Sequence, residues 1–279
     1  MADVTSTPGQ AMELITAAVQ KELQFKAKLA GMITDVSQFA LPGHDSITFP
    51  KLTSFTVVDR VAGVAGDATA LTDTSDTLDL DFNAYVAWII DSMSEIQTRI
   101  DVQIENARRA ASAQARFVDT KIIAEAETVG VATTTIAAVI TRDVVLEMRR
   151  SMRENDADLD LASYWVSPAQ EEALLKIDEF TRADAYGSSN IPTGVIGRLF
   201  GIPVLIHNDL ADAQYFLVEK SGMALGFQKG ISMDEQGANE FGVGAVRKAM
   251  DQLFGVQGLQ LGEKGVAGTE SPLVIKDNN

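Results

Sequence analysis

Few residues in this chain have the types and spacing that chemistry needs. Asp156, Asp158 and Asp160 stand at i, i+2 and i+4, the opening of a calcium-binding loop. Such a loop also needs Gly at its sixth position and a bidentate Glu at its twelfth. Those positions hold Leu161 and Ser167, so the run reads as a solvated turn. Gly242-Val243-Gly244 starts like a dinucleotide fingerprint, but Arg247 occupies the place of the third glycine. The two histidines, His44 and His207, lie near Asp45 and Asp209, and neither pair has a nucleophile beside it. Glu171 and Glu172 fall in the first turn of a helix, where they complement its dipole. No Walker loop, HExxH, GxSxG or SxxK string occurs. The chain has no cysteine, which excludes disulfides, thiolate metal sites and cysteine nucleophiles. These residues point to no catalytic site, no cofactor and no metal centre.

Composition narrows the classes further. Lys plus Arg number 23 against 39 Asp plus Glu, a net charge of −16 that disfavours sequence-specific nucleic-acid binding. No apolar run approaches the roughly 20 residues that span a bilayer. The start, MADVTSTPGQ, lacks the basic and apolar blocks of a signal peptide.

The elements that must position any site read as α+β. Residues 10–30 have helical spacing at Leu14, Ala18, Leu23 and Leu29, with Gly31 as the stop and a turn at Pro42-Gly43. Residues 46–58 predict a strand with an edge or bulge at Pro50. Residues 77–88 alternate, placing Leu78, Leu80, Phe82 and Ala84 on one face and Asp79, Asp81 and Asn83 on the other. A long two-stranded hairpin of this kind is marginal alone and needs a partner surface. Residues 91–128 carry a long helix, with Met93, Ile96, Ile100, Ile104, Ala107, Ala111, Ala115, Val118 and Ile122 in one stripe. At about 1.5 Å per residue this rod is on the order of 55 Å long. Thr141 caps a second helix over 141–155, and residues 162–167 predict a buried strand. Ser167, Pro168 and Gln170 then form the start signal of a third helix. Strands follow at 201–210, 215–220 and 231–236. Residues 240–254 are open to helix or strand, and the spacing of Val246, Ala249, Met250 and Leu253 favours helix. Residues 254–261 read as a turn and a closing strand, and the tail from Gly262 as polar chain pinned only by contacts.

Three strings carry a resemblance: YWVSPAQEEALLKIDEFTRADAYG (164–187), IPTGVIGRLFGIPVLIHNDL (191–210) and FLVEKSGMALGFQKGISMDE (216–235), the last followed by LFGVQGLQLG (253–262). Together with the element order, they make the chain resemble the HK97-type major capsid proteins of tailed phages over about residues 10–262. The resemblance implies an HK97-like fold divided into an N-terminal arm (1–45), an extended β-hairpin or E-loop (46–88), a peripheral domain with a spine helix (89–160), an axial domain (161–253) and a return to the peripheral domain with a C-terminal tail (254–279). It implies a shell of pentamers and hexamers that encloses double-stranded DNA, in a virion capsid assembled in the host bacterial cytoplasm. A separate scaffolding protein, a portal and a decoration protein are the implied partners, with no membrane. In that family the hairpin lies across the neighbouring subunit. The hairpin aspartates Asp59, Asp67, Asp73 and Asp76, with Arg60 the one basic residue among them, would then lie against Arg108, Arg109 and Arg116, or Arg149, Arg150 and Arg153, on the next copy. The loop 182–194, with Arg182, Asp184, Tyr186 and Asn190, would face the capsomer centre. The type member's hairpin lysine bonds covalently to a neighbour's asparagine. No lysine lies between residues 52 and 120 here, so non-covalent assembly is expected. A bacterial nanocompartment shell of encapsulin type shares the fold and is the alternative.

Overall fold

The computed structural model describes residues 27–51, 74–90, 100–133, 139–176, 195–237, 245–259 and 271–277. The expected hairpin tip, the first turns of the long helix, the loop 182–194 and most of the N-terminal helix lie outside these residues.

In chain order, a two-residue strand β1 (Thr34–Asp35) precedes β2 (Ser46–Lys51) and β3 (Thr74–Asp79), which among the described residues pair only with each other, Ser46 opposite Asp79 and Lys51 opposite Thr74. The alternating stretch then breaks at Leu80-Asp81, where Leu80 N–H donates to Asp45 O (2.8 Å), and continues as β4 (Phe82–Ile90) in another sheet. Leu78, Leu80 and Ala84 are buried and Asp79, Asp81 and Asn83 exposed, as the alternation requires. Helix α1 (Ile100–Val129) leads directly into β5 (Gly130–Ala132). Helix α2 (Arg142–Glu154) is capped by Thr141, whose hydroxyl accepts from Val144 N–H (3.5 Å). Strand β6 (Ala162–Val166) runs into α3 (Pro168–Leu174), where Ser167 Oγ accepts from Gln170 N–H (3.3 Å). The Gln170 side chain accepts from Ile140 N–H (2.7 Å) and donates to Asp212 O (2.8 Å), tying α3 to two loops. Strands β7 (Val195–Leu199), β8 (Ile202–Ile206), β9 (Tyr215–Glu219), β10 (Met223–Gly237), β11 (Val246–Gly258) and β12 (Ser271–Lys276) complete the chain.

The strands form a four-stranded sheet ordered β1-β10-β11-β4, a six-stranded sheet ordered β5-β12-β9-β6-β8-β7, and the β2-β3 pair. Helix α1 serves both larger sheets. Its first half lays Ala107, Ala110 and Ala111 on Val86, Trp88, Ile231 and Met250 of the four-stranded sheet. These small side chains let helix and sheet approach closely. Its second half packs Val118, Ile122, Ala126 and Val129 against Trp165, Phe216, Val218 and Val274 of the six-stranded sheet. The opposite face of that sheet meets α2 and α3 through Tyr164, Leu217, Val144, Met148 and Leu174. Cover on both faces explains why every residue of β6 and β9 is buried. Each large apolar side chain so enclosed contributes about 1.5–3 kcal/mol.

Three expectations are corrected. Residues 246–258 are strand, not helix, and no turn interrupts them at 254. The last residues of the expected 10–30 helix are not α-helical: a single 3-10 turn covers Ala30–Met32, with Gly31 inside it. The tail after Gly262 ends in β12, inserted between β5 and β9 with Leu273, Val274 and Ile275 buried.

Candidate assembly surface

The groups that looked capable of chemistry resolve into structural roles. Asp158 Oδ1 accepts from Asp160 N–H (3.0 Å), so this carboxylate closes its own turn. Among the described residues no group of three or more His, Asp or Glu side chains converges on a metal position. The Gly242-Gly244 string lies outside them. His44 contributes its carbonyl, which accepts from the Gln228 side chain along with Leu41 O.

His207 is buried and anchors a polar tie through the core. Its Nδ1 accepts from Asp209 N–H (3.2 Å), so the proton sits on Nε2, which donates to Asp119 Oδ2 (3.0 Å). The Asp119 carboxylate, itself wholly buried, also accepts from Lys28 N–H (3.0 Å) and Leu29 N–H (3.2 Å). Asp209 turns outward to Arg116, which grips both of its oxygens; that guanidinium holds the Asp209 carboxyl below the usual carboxylate range. The segment entering at residue 28, helix α1 and the loop after β8 are thereby locked together. Asp119 is the residue that sequence reasoning missed. The signal was available: position 119 lies four after Ala115 and three before Ile122, so a carboxylate stood inside the apolar stripe.

The basic residues expected to receive a neighbour are distributed differently from one another. On α1, Arg109 Nε pairs with Glu105 (3.3 Å) and Arg116 with Asp209, while Arg108 is exposed. On α2, Arg149 donates to Phe200 O (3.0 Å) and stacks over the Phe200 ring (5.6 Å), holding the left-handed β7-β8 turn at Phe200-Gly201. Arg150 pairs with Glu154 (3.5 Å), and Arg153 is exposed. Asp76 is half-buried on β3. Asp59, Arg60, Asp67, Asp73, Arg182, Asp184, Tyr186 and Asn190 lie outside the described residues.

Among the described residues, one face of the four-stranded sheet is left uncovered. Tyr85 (53 % exposed) and Ile89 (43 %) project from it, and Arg247 stacks 5.9 Å from the Tyr85 ring. A groove of about 540 Å³ runs beside them, lined by Lys229, Ser232, Asp251 and Ala249. Asp251 accepts from both Lys229 and Ser232. Among the described residues this face sets exposed apolar side chains beside polar ones, and no acid, base and nucleophile converge on it.

The sequence profile of a phage capsid protein family matches residues 85–260, more than half of the chain. The chain belongs to this phage capsid protein family. Among curated proteins, none matches the capsid protein by sequence. Solved structures do resemble it. One from Mycobacterium phage Che8 has a TM-score of 0.69 at 18 % identity and covers 90 % of each chain. The capsid of cyanophage P-SCSP1u has a TM-score of 0.66 at 12 % identity, covering 88 % of this chain and 86 % of that one. A virus-like particle from Pyrococcus furiosus has a TM-score of 0.62 at 8 % identity, covering 96 % and 99 %. The fold of the capsid protein is therefore HK97-like, and its class is a shell-forming structural protein of the virion.

Proposed function

We propose that this chain is the major head protein of a tailed phage, assembling through pentamers and hexamers into an icosahedral shell around double-stranded DNA. Membership of the phage capsid family carries the reading. The chain divides into an arm (1–45), an extended hairpin (46–88), a peripheral domain built on a spine helix (89–160), an axial domain (161–253) and a returning segment (254–279). Assembly takes place in the host cytoplasm with a separate scaffolding protein and a portal, and DNA is enclosed without sequence-specific contacts. The hairpin aspartates Asp59, Asp67, Asp73 and Asp76 meet exposed arginines of the next copy, with Arg108 and Arg153 the best placed to receive them. Arg182, Asp184, Tyr186 and Asn190 line the capsomer centre. The surface pairs contribute about 0–1 kcal/mol each, so buried area and repetition supply the strength. With no lysine between residues 52 and 120, the subunits hold together without covalent links.

Electron microscopy of concentrated protein should show shells, tubes or capsomer rings, and a denaturing gel of those particles should show only monomer. A compact monomer at every concentration would overturn the reading. A ladder of linked chains would overturn its non-covalent part. One observation favours a second reading, a nanocompartment shell protein: the match to the Pyrococcus furiosus particle spans nearly all of both chains. Terminase and portal genes beside this one, against a cargo enzyme gene, decide between them.

A further inference from the structure

The polar tie around His207 contains a group that can change its charge inside the core. The Asp119 carboxylate is wholly buried, and the groups that donate to it are neutral: Lys28 N–H, Leu29 N–H and His207 Nε2–H. The other ring nitrogen, Nδ1, accepts from Asp209 N–H (3.2 Å). The charged side chains around the ring come from three segments. Asp119 and Arg116 belong to α1, Asp209 to the ring's own loop, and Lys28 to the entering segment, with its Nζ 3.4 Å from Ile206 O. Imidazole is the side chain that changes charge between about pH 5 and pH 8. Nε2 already carries a proton, so a second one goes to Nδ1. Nδ1–H then faces Asp209 N–H, donor against donor, and that hydrogen bond is lost. An acceptor is at hand on the same residue: the Asp209 carboxylate.

We propose that protonation of His207 makes Asp209 change partners: its carboxylate leaves Arg116 and turns inward to accept from Nδ1–H, which sets Arg116 free on the outer face of α1. The two sides of the exchange differ in burial. The Arg116 side chain is 67 % exposed, so water replaces its lost partner, and exposed ion pairs contribute little to stability. The Asp209 side chain is only 16 % exposed, and the ring lies deeper still. A proton there places a cation between two carboxylates, in surroundings where an uncompensated charge is costly. Arg116 holds the Asp209 carboxyl below the usual range, so Asp209 is still an anion when the ring gains its proton. The consequence falls on the candidate assembly surface. Before the exchange Arg116 is occupied within its own chain; after it, Arg116 joins the exposed Arg108 as a guanidinium able to take an anionic group of another molecule. That consequence rests on the shell reading, whereas the exchange itself belongs to the single subunit.

The test is a nuclear magnetic resonance titration of nitrogen-15-labelled, full-length dissociated subunits from about pH 8 to about pH 5. The Arg116 Nε–H resonance, assigned by its loss in Arg116→Lys, is followed together with the His207 ring resonances, assigned by their loss in His207→Gln. The expected result is that the Arg116 signal moves from its carboxylate-bonded position to that of a free arginine, with the same midpoint as His207. In His207→Gln, whose amide stays neutral, the Arg116 signal should not move. In Asp209→Ala the Arg116 signal should sit at the free position throughout, and the His207 midpoint should fall because the protonated ring has lost its anion. An Arg116 signal that stays still while His207 titrates overturns the proposal, as does a movement that persists in His207→Gln. A ring that stays neutral over the whole range, or a chain that unfolds before the ring titrates, overturns it too. If His207→Gln does not fold, Asp209→Ala decides alone, and an unchanged His207 midpoint there is the overturning result. Every readout is taken on subunits, so failure of the protein to form shells removes the shell reading and leaves the exchange standing.

Discussion

At the scale of single residues, stability turns on buried polar groups that are fully paired or conspicuously not. Asp119 belongs to the first kind: its two oxygens accept from Lys28 N–H, Leu29 N–H and His207 Nε2–H inside the apolar core. Asp119→Ala removes the acceptor of all three; the Leu29 and His207 donors are buried, and each unpaired buried donor costs about 1–3 kcal/mol. The variant should lose roughly 2–4 kcal/mol in urea unfolding, and an unchanged midpoint would show that the tie is dispensable. Glu219 belongs to the second kind. Ser221 Oγ donates to its Oε1 (3.0 Å), but its Oε2 is buried with no hydrogen-bond partner. Burial pushes its carboxyl above the usual range, with hydrogen bonds from Ser221 and Asp158 opposing. A folded-state value above the unfolded one means that the folded chain holds this proton more tightly. The associated stability is present below the ordinary glutamate value, about 4.3, and is lost as pH rises through the folded one. Glu219→Gln fixes the neutral state, so its stability relative to the parent protein should rise with pH over the window that begins at the ordinary glutamate value. A difference that stays flat across that window would contradict the assignment.

At the scale of elements, what the sequence revealed depended on whether one face of each element was uniformly apolar. Helix α1 was legible because Ala107, Ala111, Ala115, Val118 and Ile122 keep one stripe, and all five are buried. The caps at Thr141 and Ser167 were legible because capping is local chemistry. Strand β11 was not, because its inner face reads Lys248, Met250, Gln252, Phe254. Two polar residues are buried there, hiding the period of two behind an accidental helical spacing. Lys248 is accommodated by Glu235 on the neighbouring strand, with Nζ 3.7 Å from the carboxylate. Strand β12 was hidden for another reason: its place between β5 and β9 is set by partners distant in the chain. The candidate assembly surface rests in the sequence on charge runs alone, and the intrachain ties of Arg116 and Arg149 depend on tertiary neighbours that no spacing rule supplies. Strand β11 also shows where backbone must pass backbone. A Cβ on Gly255 would stand 2.1 Å from Asp79 O and 2.8 Å from Leu78 Cδ2, at the corner where β3 turns into β4. Backbone cannot yield there as a flexible side chain can. Gly255→Ala should therefore cost at least about 1–3 kcal/mol, the usual range for overpacking. Retention of the parent unfolding midpoint would mean that the corner is looser than the structure has it.

At the scale of the whole molecule, charge and assembly pull against each other. Each subunit carries a net charge of −16, so copies brought edge to edge repel on average. Several of the arginines that could offset this already have partners within their own chain, Arg116 with Asp209 and Arg150 with Glu154 among them. Contacts that hold subunits together must then draw mainly on apolar area and backbone pairing, terms that salt does not weaken. Salt does shorten the range of the repulsion, from a Debye length of about 30 Å at 0.01 M to about 10 Å at 0.1 M. Raising ionic strength over that range should therefore increase the rate and extent of assembly, followed by light scattering at fixed protein concentration. If aspartate–arginine pairs between copies supplied most of the binding instead, the same titration would dissolve particles. The sign of the salt effect thus separates a shell held by buried strands and apolar contact from one held by ion pairs.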